Sequence, residues 1–358
     1  MPKQINKMDF TGQNIYCGID VHNKDWKTTI LVEETFHKTF TQPPEPLVLS
    51  AYLENNFPGG TYFAAYEAGF CGFWVQKELS RLGVETIITN PADIPTTDKE
   101  KRQKEDFRDS RKIARSLKNG DLQAIYVPSD IALEDRLLIR SRYTIAKDLR
   151  RNKHRIKSFM HFYGIRLPEE FSNSKSHWSK KFMVWLEGIK LRDDSGNAAL
   201  AILIKQVNTL SCELTSVKKQ LTTLSNQPRF KQNCDLLMSI QGVGLITSMR
   251  FLSEIVDIKR FRSLDKLASY VGLIPSTNSS GDDQKVGDIT PRGHRALRTA
   301  LVESAWKAVG KDTVLMAKYY QLCKRMDSNK AIIRIAKKLL ARMAFVLREK
   351  KAYEISMA

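Results

Sequence analysis

Four carboxylates and one serine are the residues of this chain whose types and spacing could do chemistry. Asp20 ends the apolar, β-favouring run from Ile15, Glu67 ends a second such run from Tyr62, and Asp106 and Asp109 stand three apart at the entrance of a helix. That spacing turns both aspartates onto one helical face, where like charges repel unless a cation lies between them. If the strands carrying Asp20 and Glu67 are neighbours and the helix packs across them, four hard oxygen donors meet at one edge. Such a set suits two Mg²⁺ ions, with Mn²⁺ as a substitute, about 3.5 to 4 Å apart and assisting phosphoryl transfer. On spacing alone two plainer readings stay open: Asp20 as the cap of the turn into Val21-His22-Asn23-Lys24, and four surface acids with no common site.

The serine lies in the polar stretch Ser276-Thr277-Asn278-Ser279-Ser280-Gly281-Asp282-Asp283, which reads as a loop. A hydroxyl is a weak nucleophile until its proton is removed and its target is polarised, and Lys285, Arg292, Arg295 and Arg298 follow closely enough to polarise a phosphate. Serine before glycine is also an ordinary turn or helix cap, and Ser279 offers a second hydroxyl one residue away. There is no Gly-x-Ser-x-Gly elbow, so ester hydrolysis of the α/β-hydrolase kind is not indicated.

The elements that must position these groups fall into three compositions. Residues 1–130 alternate between strand and helix signals, with three early consecutive strands, which suits a mixed sheet with an antiparallel hairpin edge. Residues 131–228 hold a long basic helical stretch with Arg150, Arg151 and Arg155, then a second helix. In that helix Leu203, Val207, Leu210, Leu214, Val217, Leu221 and Leu224 recur in steps of three and four, a heptad seam that could pair within the chain or with another subunit. Residues 229–358 are mostly helical and open with a helix, Gly242-Val243-Gly244, helix pattern; such a hairpin can bring backbone amides to a DNA phosphate or merely turn a helix–helix corner.

The chain has 358 residues, 42% of them hydrophobic, enough to fill real cores. It carries 58 Lys and Arg against 39 Asp and Glu, a net +19, with an isoelectric point near 9.6, which points to a polyanionic partner, nucleic acid first. Five scattered cysteines with no Cys-x-x-Cys pair exclude a zinc ribbon and favour a reducing compartment. No signal-peptide pattern and no membrane-length apolar run occur, so the expected location is cytoplasmic.

With those residues assembled, the chain resembles the Piv-type DEDD transposases of insertion sequences, the bridge-RNA-guided serine recombinases. The resemblance is carried by Gly18-Ile19-Asp20-Val21, by Tyr66-Glu67-Ala68-Gly69, and by Lys104-x-Asp106-x-x-Asp109-Ser110-x-x-Ile113-Ala114. It continues in Gly272-Leu273-x-Pro275, Ser280-Gly281 and Gly293-x-x-x-Leu297-Arg298. It implies a RuvC-like, RNase-H-type domain whose Asp20, Glu67, Asp106 and Asp109 bind the metal, a helical coiled-coil arm for subunit contact and RNA, and a mostly helical C-terminal domain. In that last domain Ser280 falls on the serine that attacks a DNA phosphate. The partners so implied are donor and target DNA, a structured guide RNA and further copies of the chain, as dimer or tetramer, in the nucleoid of a bacterial or archaeal cell. Ser110 departs from the alanine more usual in the family. A RuvC-like junction nuclease would need the acids but no serine, and a non-catalytic nucleic-acid binder would need neither. The actin-like ATPases and sugar kinases also open on Gly-Ile-Asp, but they require a Gly-Thr phosphate turn after it, where this chain has Val21-His22-Asn23-Lys24.

Overall fold

Ile15, Cys17 and Ile19 alternate to one side of β1 (Asn14–Val21), and all three are fully buried. The computed structural model that shows this describes residues 9–95, 106–280 and 283–354; the side chains of residues 106–107 and 276–288 lie outside the description. β1 is the central strand of five. It pairs antiparallel with β2 (Trp26–Val32), which pairs antiparallel with β3 (Thr35–Gln42), and on its other edge it runs parallel to β4 (Thr61–Glu67), itself parallel to β5 (Glu85–Thr89). The order is β3-β2-β1-β4-β5, the mixed sheet with an antiparallel edge that the consecutive early strands predict.

Two helices cover one face and a third covers the other. Leu49 and Leu53 of α1 (Pro46–Asn56) and Val75 and Leu79 of α2 (Trp74–Arg81) close over Ile15, Cys17, Ile19 and Tyr66. On the opposite face Ile113 of α3 (Asp106–Lys118) packs with Ala65 of β4 and with Ile94. Burial on both faces is why β1 reads as a continuous apolar run rather than as a polar–apolar alternation. The Cys17 thiol sits wholly inside, and burial pushes its pKa up to about 12, so it is packing material and not a reactive group.

The chain divides into two compact units, Met1–Val127 and Pro128–Ala358. The second begins with α4 (Asp130–Phe162), started by the Ser129 hydroxyl, which accepts from the Ala132 amide. After α5 (Lys180–Glu187), α6 (Asp194–Ser225) returns along α4 in the opposite direction. Leu149, Ile156 and Met160 meet Leu200, Ile204 and Val207 at one end, while Ile139 joins Leu221 and Leu224 at the other. Much of the heptad seam is therefore satisfied within the chain, with Leu203, Leu210 and Leu214 half-buried beside that core.

The remaining elements are α7 (Pro228–Met238), α8 (Leu245–Ile255), α9 (Leu264–Val271), β6 (Pro275–Ser280), β7 (Asp283–Ile289), α10 (Arg295–Val309), α11 (Thr313–Cys323) and α12 (Ser328–Glu349). α12 is the spine of this part: Ile332, Ile335, Leu339, Met343 and Val346 are buried at helical spacing. At its side Asp312, fully buried, both caps α11 through the Leu315 amide and pairs with Arg342. Gly242 packs directly on α10, where an added side chain would collide with Ser304 and Ala308, so the Gly-x-Gly segment makes a helix–helix corner. The stretch read as a polar loop from Ser276 to Asp283 is instead an antiparallel hairpin, β6 with β7. Its Ser, Thr and Asn residues lack the apolar alternation by which strands are recognised, and backbone pairing alone defines it.

Candidate functional site

The acidic edge is set by register. β1 and β4 run parallel with Ile19 opposite Tyr66, so Asp20, one residue before the end of β1, and Glu67, the last residue of β4, follow that pair on neighbouring strands, which in a sheet run about 4.8 Å apart. Both fall on the α3 side, because side chains two residues apart share a face and Gly18 lies under α3. A Cβ on Gly18 would stand 2.1 Å from the Ser110 carbonyl oxygen and 2.3 Å from the Ala114 nitrogen, so the helix backbone rests on the strand at this residue. The polarity of α3 follows from its other end. Lys118 bonds Glu34, which follows β2 at the N-terminal end of β1, so the N-terminus of α3 points to the end carrying Asp20 and Glu67.

Asp109 immediately precedes Ser110, whose buried hydroxyl bonds Thr29 Oγ1 at 2.9 Å; Thr29 in turn bonds Thr39 at 2.8 Å. Thr29 is the register partner of Gly18. Asp109 is thus tied to the strand pair two residues from Asp20. Asp106 opens the helix, and its side chain lies outside the described residues. Among the described residues no group of three or more His, Cys, Asp or Glu side chains stands close enough to hold a metal ion. The donor chemistry at this edge, carboxylates on neighbouring strands at the end toward which a helix N-terminus points, is that of a hard, oxygen-preferring divalent cation. His22, which the sequence suggests only as a turn residue, places Nε2 3.1 Å from Asp20 Oδ2. The Asp-x-His spacing across a strand end was the available signal.

In the second unit Ser280 is the last residue of β6 and is paired in register with Asp283, which places it at the tip of the hairpin; Ser279 is paired with Gln284. The side chains of Ser279, Ser280 and Lys285 lie outside the described residues. The hairpin rises from a pinched neck. Gly272 closes α9 with φ +82°, Gly293 follows the hairpin with φ +120°, and a Cβ on Gly293 would stand 2.6 Å from the Gly272 Cα. Across this neck Arg298 Nη1 donates to Thr290 O at 2.6 Å and to Gly272 O at 3.3 Å, and the Thr290 amide donates to Ile274 O. Arg298 therefore serves the hairpin from inside, whereas Arg292 and Arg295 are exposed.

Arg150, Arg151 and Arg155 are exposed on α4. Arg151 is 3.2 Å from Asp148, and Arg155 donates to Asn152; together with Lys205 of α6 they line a shallow basic groove between the two helices.

The second unit also holds a charged cluster that sequence reasoning missed. Glu254, almost fully buried on α8, accepts both guanidinium bonds of Arg140 at 2.8 Å and lies 3.2 Å from Arg136 Nε and from His294 Nε2. Burial alone would raise its pKa, but hydrogen bonds from His294 and Arg140 outweigh burial and bring it down to about 2. A lone acid within the apolar run Phe251-Leu252-Ser253-Glu254-Ile255 was the visible clue.

A family model described as Transposase IS116/IS110/IS902 family matches residues 234–321, and a second, the DEDD transposase model of the IS110 group, matches residues 17–165. The chain is 30% identical over 245 residues to the candidate transposase y4qE of Sinorhizobium fredii, a match that spans 68% of this chain and 58% of that protein. It is 24% identical over 305 residues to the transposase for insertion sequence element IS1533 of Leptospira borgpetersenii, spanning 82% of this chain and 85% of the relative. It is 28% identical over 176 residues to the pilin gene-inverting protein of Moraxella bovis, spanning 46% of this chain and 54% of that protein. Among the described residues no helix is long and apolar enough to cross a membrane.

Proposed function

We propose a DNA strand-exchange reaction for this chain, which belongs to the IS110/IS116/IS902 family of DEDD transposases. The observation that carries the proposal is the register that sets Asp20, near the end of β1, beside Glu67, at the end of β4, with the N-terminus of α3 directed at the same edge. Asp20, Glu67, Asp106 and Asp109 would hold Mg²⁺ or Mn²⁺, which when bound neutralises charge on a phosphate and stabilises a departing sugar oxygen. Ser280 Oγ loses its proton, forms an ester with a DNA phosphorus and displaces that sugar oxygen, which leaves as a hydroxyl; strand exchange reverses these steps with a new sugar hydroxyl. Ser280 ends β6 at the turn into β7, and the exposed Arg292 and Arg295 beside the neck are suited to hold a backbone phosphate.

DNA as substrate is supported by the family and by the net +19 charge. A structured guide RNA and a dimer or tetramer rest on the resemblance and on the basic groove between α4 and α6. The test is covalent capture of DNA by the purified protein. Asp20→Asn, Glu67→Gln, Asp106→Asn and Asp109→Asn should each lower strand exchange by at least about a hundredfold while leaving nucleic-acid retention on a gel within about twofold, and chelation should do the same to the unmodified protein. Ser280→Ala separates this reading from a junction nuclease that uses water. A nuclease would keep cutting without a protein–DNA bond, and an adduct surviving in Ser280→Ala but lost in Ser279→Ala would move the nucleophile by one residue.

A further inference from the structure

The Glu254 cluster lies outside every role assigned so far, and its cost demands a reason. An apolar residue in the place of a buried, multiply paired carboxylate is often as stabilising, so what such a cluster supplies is direction rather than stability. Its four side chains come from three places: Arg136 and Arg140 from the base of α4, Glu254 from α8, and His294 from the residue that joins the hairpin neck to α10.

The two ring nitrogens of His294 have different partners. Nδ1 accepts from the Leu297 amide at 3.2 Å as the cap of α10, which leaves Nε2 as the donor to Glu254 Oε2 at 3.2 Å. The His294 main-chain amide donates to Tyr270 O at 2.8 Å, on the helix that feeds the other side of the neck. One histidine thus ties the exit of the hairpin to its entry, to the start of α10 and, through Glu254, to the arm base. The adjoining Gly293 touches Gly272, and Arg298, one turn into α10, straps the neck. Rotating His294 about its own axis would turn the hairpin as a lever on this short fulcrum.

We propose that Glu254 is a positioning residue for the serine hairpin: clamped by Arg140 and Arg136, it holds the His294 ring and so sets the direction in which β6 and β7 leave the C-terminal unit. That the aimed group is Ser280 rests on the function proposed above; the aiming itself does not.

Two variants of the full-length protein test it. Glu254→Gln removes the charge that both arginines need and risks the fold, so His294→Asn is its partner. Asparagine still caps α10 but no longer reaches Glu254. Hydrogen–deuterium exchange is read at the neck amides, Thr290 above all, with the β1–β5 amides as internal reference. Both variants should exchange at least about tenfold faster at the neck with the sheet unchanged, and both should form the covalent DNA adduct at least about tenfold more slowly at saturating duplex DNA with the affinity within about twofold. Because one linkage is cut twice, the double variant should be no slower than the slower single. Unchanged neck exchange in His294→Asn, or effects that multiply in the double variant, would overturn the proposal. If Ser280→Ala still captures DNA while neck exchange responds as stated, the serine assignment fails and the positioning role stands.

Discussion

Gly18 decides how closely the helix carrying Asp109 approaches the strand carrying Asp20. With a would-be Cβ 2.1 Å from the Ser110 carbonyl oxygen, Gly18→Ala has no relaxation short of lifting α3 off the sheet. The expected cost is about 2 to 3 kcal/mol of unfolding free energy, read from denaturant midpoints, together with strand-exchange activity below about a tenth. A variant of normal stability and activity would mean that α3 does not set the acid geometry. On that same helix the Ser110 hydroxyl is buried but bonded to Thr29, so the polar atom is satisfied. At Glu254 the sign of the pH effect is fixed by the direction of the shift. Its folded pKa, about 2, lies below the ordinary 4.5, so its stabilisation is complete above the higher value and is lost as pH falls toward the lower. Glu254→Gln should therefore be less stable than the parent at pH 7, and the difference should shrink between pH 4.5 and 2 in denaturant titrations. A constant difference would show that Glu254 is not the titrating group.

Among the elements, those with a buried face were legible and those defined by backbone alone were not. The five strands of the sheet and the long helices announce themselves because Ile15, Cys17 and Ile19 or Leu200, Ile204 and Val207 must be removed from water at periods of two and of three to four. β6 and β7 carry no such signal, so the element that bears Ser280 was read as a loop. The acid pair Asp20 and Glu67 could be named from strand ends, yet their adjacency is a matter of register, which the order of strands along the chain does not state. Glu254 was invisible as a site because its partners Arg140 and His294 are 114 and 40 positions away in opposite directions. For α4 the basic face, in a chain of net +19, favours phosphate contact over a merely solvated surface, and a titration separates them. Arg150→Gln, Arg151→Gln and Arg155→Gln combined should reduce the slope of log affinity against log salt by about 0.9 for each lost contact to duplex DNA. An unchanged slope would leave these arginines as ordinary surface charges.

At the scale of the whole molecule the proposed chemistry draws on two compact units, with the candidate acids before Val127 and the candidate serine after Pro128. A serine that displaces a sugar oxygen needs that oxygen stabilised, so the proposed mechanism requires both groups at one phosphate. Nothing in that requirement obliges them to come from the same copy of the chain. A shared site, with the acids of one protomer and the Ser280 of another, is testable by mixing Asp20→Asn with Ser280→Ala protein, each inactive alone. In mixed assemblies one pairing of intact acids with intact serine survives, so covalent capture of DNA should return, to roughly a quarter of the parent level if copies associate at random in pairs. Should mixed oligomers form, as co-purification through two different tags would establish, and no capture return, each copy must use its own serine with its own acids.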